Sequence, residues 1–307
     1  MTGHPPVTVL DTRGAKSLGR AAFTLLSDYW ALTKPEVNFL ILITTLAGFY
    51  LGCEDTGREF SSLALLNTLV GTLLVASGTA TLNQYIERKF DAEMRRTARR
   101  PAAAGRLGPH AVLVFGILLS AAGSIYLAAA AGMLASLLAL LTLLSYLFLY
   151  TPLKRKTPLC VLVGAFPGAM PPLIGWAAAS GRLNKEAWLF YAIVFLWQFP
   201  HFMAIAWMYR EDYDRAGYRM LPKKQGRVAL VILQTIAPLL ALTPISVMNL
   251  ASRYAAVIYW SGLLLGVVFL YVGLEFSLQR SRRAARRLLL TSIIYLPLLF
   301  GLRIAFR

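Results

Sequence analysis

Acidic residues are scarce in this chain, with fourteen Asp and Glu among 307 residues against thirty-one Lys and Arg. Charge of either sign is scarce as well, at 15% of residues, where a soluble domain carries roughly a quarter. Two cysteines, Cys53 and Cys160, are too few for a disulfide framework or a thiolate metal cluster. The three histidines, His4, His110 and His201, show no zinc-ligand spacing such as H-E-x-x-H. Disulfide-rich secreted scaffolds and zinc enzymes built on such motifs are therefore poor readings. What fills the chain is apolar: 57% of residues are hydrophobic and the mean hydropathy is +0.60. In a soluble protein a net charge of +17 would suggest nucleic acid. In so apolar a chain the question is where the charges sit, because a charge in hydrocarbon is expensive.

Stretches of the roughly 17–25 apolar residues that can cross a bilayer recur nine times, at 33–52, 63–86, 111–131, 134–151, 159–180, 187–209, 228–249, 254–274 and 287–305. This predicts an all-α polytopic membrane protein of nine transmembrane helices. Residues 1–32 read as a polar cytoplasmic arm, without the apolar stretch and cleavage site of a signal peptide. Residues 33–307 read as the intramembrane domain. Lys and Arg collect on the cytoplasmic side of a membrane protein. Alternating the nine crossings places 25 of the basic residues on one side, and Arg58, Arg182, Lys185, Arg253, Arg303 and Arg307 on the other. The expected orientation is N-terminus cytoplasmic and C-terminus outside. This spread over successive loops, which anionic lipid also favours, accounts for most of the charge without nucleic acid.

It does not account for the carboxylates. Six of the fourteen fall in two short stretches at the cytoplasmic ends of apolar segments. In the first, Asn83, Glu87 and Asp91 are spaced i, i+4, i+8, one row along a helix face. Three oxygen ligands in a row suit a hard cation such as Mg²⁺, which takes one or two carboxylates plus substrate phosphate. The bland alternative is a solvated helix end with pairs such as Asp91–Arg95. The second stretch carries Glu211, Asp212 and Asp214 on the same side of the membrane. Around both lie Arg95, Arg96, Arg99, Arg100, Lys154, Arg155, Lys156, Arg210, Arg215, Arg219, Lys223 and Lys224. Carboxylates that can hold a metal, ringed by cations, are what a departing diphosphate needs. With a hydrocarbon tail among the helices, the substrate class is a prenyl diphosphate.

The stretch Asn83 to Pro101 resembles the N-x-x-x-D-x-x-x-D-x-x-M-x-R-T…R-P signature of the UbiA-type intramembrane prenyltransferases. The likeness continues through Tyr150-Thr-Pro-Leu-Lys154, Gly164 to Trp176, Trp197-Gln-Phe-Pro200-His201 and Asp212 to Pro222, with Lys34-Pro35 ahead of the first span. These fragments are most similar to the heme-farnesylating branch. The resemblance implies that Mg²⁺ is held by Asn83, Glu87 and Asp91 together with Glu211 and Asp212, as the catalytic set. It implies that Lys154, with Arg155 and Arg95, Arg96 or Arg99, contacts diphosphate. The substrates implied are farnesyl diphosphate and heme B, and the product is heme O. The setting implied is a prokaryotic cell membrane with a cytoplasmic active site, near heme A synthase or terminal oxidase assembly. Glu87 stands where the pattern has Asp, and Asp214 has no counterpart in it.

Aromatic faces stabilise an allylic cation, which singles out Tyr85, Tyr150, Trp197 and Tyr213, although an interfacial aromatic belt is equally expected. His201 lies inside a hydrophobic segment and could hold heme iron or simply hydrogen-bond within the bundle. His110 reads as an idle loop residue. The Pro and Gly run of 164–175 should break a helix inside the membrane, tolerated where it lines a cavity or is buried. Three other functions stay open at this level: a prenyltransferase for an aromatic acid or quinone precursor, a membrane transporter, and a non-catalytic heme-handling or oxidase-assembly protein.

Overall fold

The structure, a computed structural model, describes residues 12–221, 227–248 and 254–306, with side chains from residue 22 onward and without that of Arg227. The basic positions Lys223 and Lys224 lie outside the described residues. Helices fill nearly all of the rest: α1 (Thr12–Leu32), α2 (Pro35–Thr56), α3 (Ser62–Asp91), α4 (Pro109–Ala130) and α5 (Met133–Leu144). Helix α5 runs on through a π-helical turn, Ser145–Tyr150, into the short α6 (Thr151–Leu153). Then follow α7 (Cys160–Gly168), α8 (Pro171–Ser180), α9 (Lys185–Met208), α10 (Arg210–Arg215), α11 (Arg227–Val247), α12 (Ala255–Gln279) and α13 (Arg282–Ala305). Among the described residues nine helical stretches are long and apolar enough to cross a membrane. The protein is an all-α polytopic membrane protein, as the hydropathy pattern predicts.

Two spans are broken, each for a readable reason. Pro171 and Pro172 bring no N–H, so the carbonyls four residues earlier lose their helical donors. The ladder stops between α7 and α8 at Ala169 and Met170. The fourth span widens at Ser145–Tyr150, where the Thr151 hydroxyl donates to the Tyr146 carbonyl at 2.9 Å. The break between α7 and α8 falls among buried residues, which is where a membrane tolerates irregular backbone, while the π-turn buries Leu147 and Tyr150 and turns Phe148 and Leu149 outward.

Lipid tails are as apolar as leucine, so small residues that let backbones touch hold such helices together. The crossing of α2 and α8 shows this most sharply. A Cβ on Gly48 would collide with the Pro172 carbonyl, and one on Gly175 with the Thr45 carbonyl. Gly78 and Gly123 bring α3 and α4 together, and Gly262 and Gly266 do so for α11 and α12. Large apolar side chains such as Phe148, Tyr271 and Leu278 point outward, as a lipid-facing surface requires. At the far end of the bundle, buried Arg303 donates to the carbonyls of Ser246 (2.9 Å) and Met248 (2.8 Å), closing the open end of α11.

The described part of the N-terminal arm is a helix whose Phe23, Leu26 and Trp30 are exposed, an apolar face that its mixed composition hides. Asp28 accepts from Arg106 at 2.8–3.0 Å, and Gln84 of α3 donates to the Leu32 carbonyl at 2.8 Å. The arm is thus tied to the loop that follows α3.

The α2–α8 contact generates a test. Gly175→Val must force the two backbones apart, at a cost of about 1–3 kcal/mol. Heating the detergent-purified variant, with size-exclusion recovery as the readout, should show loss of monodisperse protein several degrees below wild type. Gly301→Ala, with open space around it, should melt as wild type does.

Candidate active site

The last three turns of α3 carry Asn83, Glu87 and Asp91 on one face, and all three are buried. A buried carboxylate needs compensation, and each finds it differently. Glu87 is saturated. Its Oε1 accepts from Lys154 Nζ at 2.9 Å and from the Tyr218 hydroxyl at 2.8 Å. Its Oε2 accepts from Asn83 Nδ2 at 2.8 Å and again from Lys154 at 3.2 Å. Asn83 Oδ1 in turn accepts from Thr151 at 3.0 Å. Asp91 pairs with Arg100 at 2.8 Å, and its own carbonyl accepts from the Thr97 hydroxyl at 2.8 Å, fixing the turn that leaves the helix.

The second acidic stretch comes to meet the first. Asp212, buried in α10, accepts the backbone N–H of Arg96 at 3.3 Å and pairs with Arg215 at 3.3 Å. Phe90, Met94, Tyr213, Ala216 and Tyr218 pack together beneath this junction. The Arg219 N–H donates to the Lys154 carbonyl at 2.7 Å, so the loop after α6 joins the same assembly. Three segments far apart in sequence therefore share one site. Glu211 is not brought into it: its side chain is 80% exposed and faces Arg210 at 3.8 Å. Asp214 is also exposed. Among the described residues, no three carboxylate, histidine or cysteine side chains converge as a ready metal cluster.

The cations form two tiers. Lys154 is buried, with its ammonium 4.5 Å from the Tyr150 ring centre and 5.6 Å from that of Tyr146. Burial is the largest influence and opposes its charge, yet the Glu87 carboxylate and the surrounding Tyr146, Tyr150 and Tyr218 together hold its pKa well above the usual lysine value. Arg95, Arg96, Arg99 and Arg155 are exposed at the rim. Arg96 lies 4.9 Å from the Tyr209 ring centre, and Arg155 lies 4.0 Å from that of Phe90.

The four aromatic positions and His201, five in all, divide. Tyr150 and Tyr213 stand at the acidic junction, with the Tyr213 ring 5.8 Å from that of Tyr218. Trp197 and His201 lie deeper on α9, with His201 about 10 Å along the helix from Met208 at 1.5 Å per residue. There the Trp197 indole donates to the Ser292 carbonyl at 2.7 Å, and His201 Nδ1 meets the Ser292 hydroxyl at 2.8 Å. The two rings stack at 4.7 Å. Tyr85 carries Arg88 over its ring, away from the carboxylate row.

Residue spacing alone missed three participants. Tyr218 follows Gly217, whose φ of 70° lets the chain turn back, and the Ala-Gly pair was the available signal. Thr151 sits between Tyr150 and Pro152, legible only once the π-turn is known. Lys34, at the start of α2, lies within electrostatic range of Glu87, Asp91, Arg100 and Lys154.

Comparison with known proteins follows the same lines. The UbiA prenyltransferase family model matches residues 41–296. A Solibacter usitatus protein named protoheme IX farnesyltransferase is 46% identical over 282 residues, covering 90% of this chain and 97% of its own. A Koribacter versatilis protein of the same name is 42% identical over 288 residues, covering 91% and 92%. A solved UbiA homolog from Archaeoglobus fulgidus, bound to GPP and Mg2+, shares the fold at a TM-score of 0.65 and 14% identity, over 90% of this chain and 99% of its own. A family model that spans most of the chain, and relatives that align with it almost end to end, place it plainly: the chain belongs to the UbiA prenyltransferase family, in its protoheme IX farnesyltransferase branch.

Proposed function

We propose that this protein transfers the farnesyl group of farnesyl diphosphate to a vinyl group of heme B, with addition of water, giving heme O and diphosphate. The observation that carries the reading is that α10 docks on the loop after α3 through the Arg96 N–H on Asp212, which brings the Asp212 stretch to the end of the helix that carries Asp91. Asp91 and Asp212 are two buried carboxylates from distant stretches, ringed by cations at one end of an apolar bundle, in a chain of this family. The tail of a prenyl diphosphate can lie among the helices while its head meets the charges.

Not every carboxylate there is equally able to take a metal. Asp91 and Asp212 are neutralised by Arg100 and Arg215, whose side chains are 25% and 42% exposed and can swing away. Lys154, at 9%, is enclosed and stays on Glu87. Of the five donors the motif implies, Asp91 and Asp212 are therefore the ones that would take Mg²⁺ most readily, since Glu87 is held by Lys154, Glu211 faces outward and the Asn83 amide is engaged by Glu87 and Thr151. Magnesium bound there would neutralise diphosphate oxygens and make diphosphate a better leaving group. The rest of the chemistry belongs to the chain. The Lys154 ammonium, oriented by Glu87, and the rim arginines meet the charge that grows as the C1–O bond of the substrate breaks and its electron pair leaves with diphosphate. Tyr150 and Tyr213 turn aromatic surface toward the allylic cation left behind. A vinyl carbon of heme attacks that cation, water adds to the resulting porphyrin-side cation, and one proton is released. His201, its Nδ1 held by Ser292, is suited to steady heme through its other nitrogen.

Detergent-solubilised enzyme given heme B and farnesyl diphosphate should yield heme O by mass. Chelation should abolish the product and added Mg²⁺ restore it. Asp91→Asn and Asp212→Asn should each lower turnover on the order of 10²-fold or more while eluting as folded protein. His201→Ala should raise the heme KM alone. Product with 4-hydroxybenzoate and none with heme would sink the assignment.

The Glu87–Lys154 pair makes a second prediction. Glu87→Gln or Lys154→Met strands a buried charge, which typically costs about 3–5 kcal/mol. The double variant should regain most of the thermal stability and none of the activity. A double variant no more stable than the singles refutes the pairing.

The basic bias supports an inward N-terminus and a cytoplasmic active site in a prokaryotic cell membrane, upstream of heme A synthase or oxidase assembly. Cys53 and Cys160 are buried, so single new cysteines can be labelled cleanly. Lys156→Cys should resist an impermeant maleimide in intact cells and Glu59→Cys should react. The reverse pattern inverts the topology.

A further inference from the structure

The three buried carboxylates of the site each have a cation of their own: Glu87 has Lys154, Asp91 has Arg100 and Asp212 has Arg215. Lys34 lies among them electrostatically and has none, since among the described residues no carboxylate comes within ion-pair distance of it. Its backbone is unusual as well. Lys34 sits at φ 51° and ψ 63°, one of two non-glycine residues with positive φ among those described. A left-handed conformation is strained for a residue with a side chain, and such strain persists where the surroundings enforce it, often at functional sites.

The surroundings do enforce it. Asn38 donates to the Thr33 carbonyl at 2.8 Å and to Ser77 of α3 at 3.0 Å. Gln84, the neighbour of Asn83, donates to the Leu32 carbonyl at 2.8 Å. The turn is thereby bolted to the helix that carries the acidic row. Glycine would occupy this turn without strain, so the lysine side chain must serve a purpose the turn does not. Burial lowers its pKa, repulsion from Arg100 and Lys154 adds to this against the pull of Glu87 and Asp91, and the result is about 7. The ammonium is short of negative charge.

We propose that Lys34 is a diphosphate contact, a half-buried cation beside the site that stays without a carboxylate partner until the anionic head of the prenyl substrate arrives. This rests on the reading of the acidic junction as a prenyl diphosphate site. As the C1–O bond breaks, the electron pair passes to the departing oxygen, and the Lys34 ammonium donates a hydrogen bond to diphosphate without giving up its proton. The turn is fixed to α3 by Asn38 and Gln84, so Lys34 and Lys154 approach the head from different segments of the chain.

The test is direct binding of farnesyl thiolodiphosphate with Mg²⁺, and separately of heme, to purified full-length protein. Lys34→Gly removes the charge and relieves the backbone, so it should fold at least as well as wild type. It should weaken analogue binding tenfold or more, leave heme affinity within twofold, and be largely rescued by Lys34→Arg. Wild-type analogue affinity in Lys34→Gly overturns the assignment and leaves a turn residue. Loss of heme affinity in place of analogue affinity overturns it in favour of the heme carboxylates. Failure of wild-type protein to bind the analogue overturns the diphosphate reading itself, and this proposal with it.

Discussion

The ion pair between Glu87 and Lys154 is the constraint from which the site is built. Burying two charges costs several kcal/mol per ion, recovered only with close geometry and further hydrogen bonds. Here the recovery is spread over three segments: Asn83 on the same helix, Tyr218 from beyond α10, and the Tyr150 ring beneath the ammonium. Displacing any one of them leaves a charge unsatisfied in a low-dielectric interior. That is why α3, the end of the fourth span and the loop after α10 are held in a single arrangement, with the Lys154 carbonyl taking the Arg219 N–H as an added tie.

The irregular backbone of the bundle serves that arrangement. A regular helix through Ser145–Tyr150 would rotate Thr151 and Lys154 relative to the preceding turns. The π-turn, a device concentrated at functional sites, sets Thr151 on Asn83 and Lys154 on Glu87. The break between α7 and α8 acts at a distance. It lets Pro172 and Gly175 sit flat on Gly48 and Thr45 of α2, which steadies the helix whose first residue follows Lys34. Packing by small residues and charge placement are thus one problem in this fold.

The nine spans and the row of Asn83, Glu87 and Asp91 were legible because each rests on a period: twenty-odd apolar residues for a crossing, and four residues for a helix face. What was illegible depends on contacts between segments or on backbone that no period describes. Glu211 and Asp212 look equivalent as neighbours, yet successive helical residues point about 100° apart, and only Asp212 turns inward. Arg100 was one basic residue among many until the chain folded it onto Asp91. Tyr218 and Lys34 owe their positions to left-handed turns at Gly217 and at Lys34 itself. The apolar face of α1 was hidden because polar residues in the same stretch dilute its composition.

The charge excess takes a different meaning once the pairs are known. Glu87, Asp91 and Asp212 are matched one for one by Lys154, Arg100 and Arg215, so the centre of the site is close to neutral apart from Lys34. The attraction for an anionic head must then come from the exposed tier, Arg95, Arg96, Arg99, Arg155 and Lys156, on the face that the insertion rule already makes basic. Farnesyl diphosphate and heme both carry an anionic end on an apolar body, and both partition to a membrane surface. A basic rim gathers both heads at the same depth and face, while screening by salt keeps that pull within about 10 Å. The buried pairs keep this field from collapsing onto the carboxylates before a diphosphate is there to receive it.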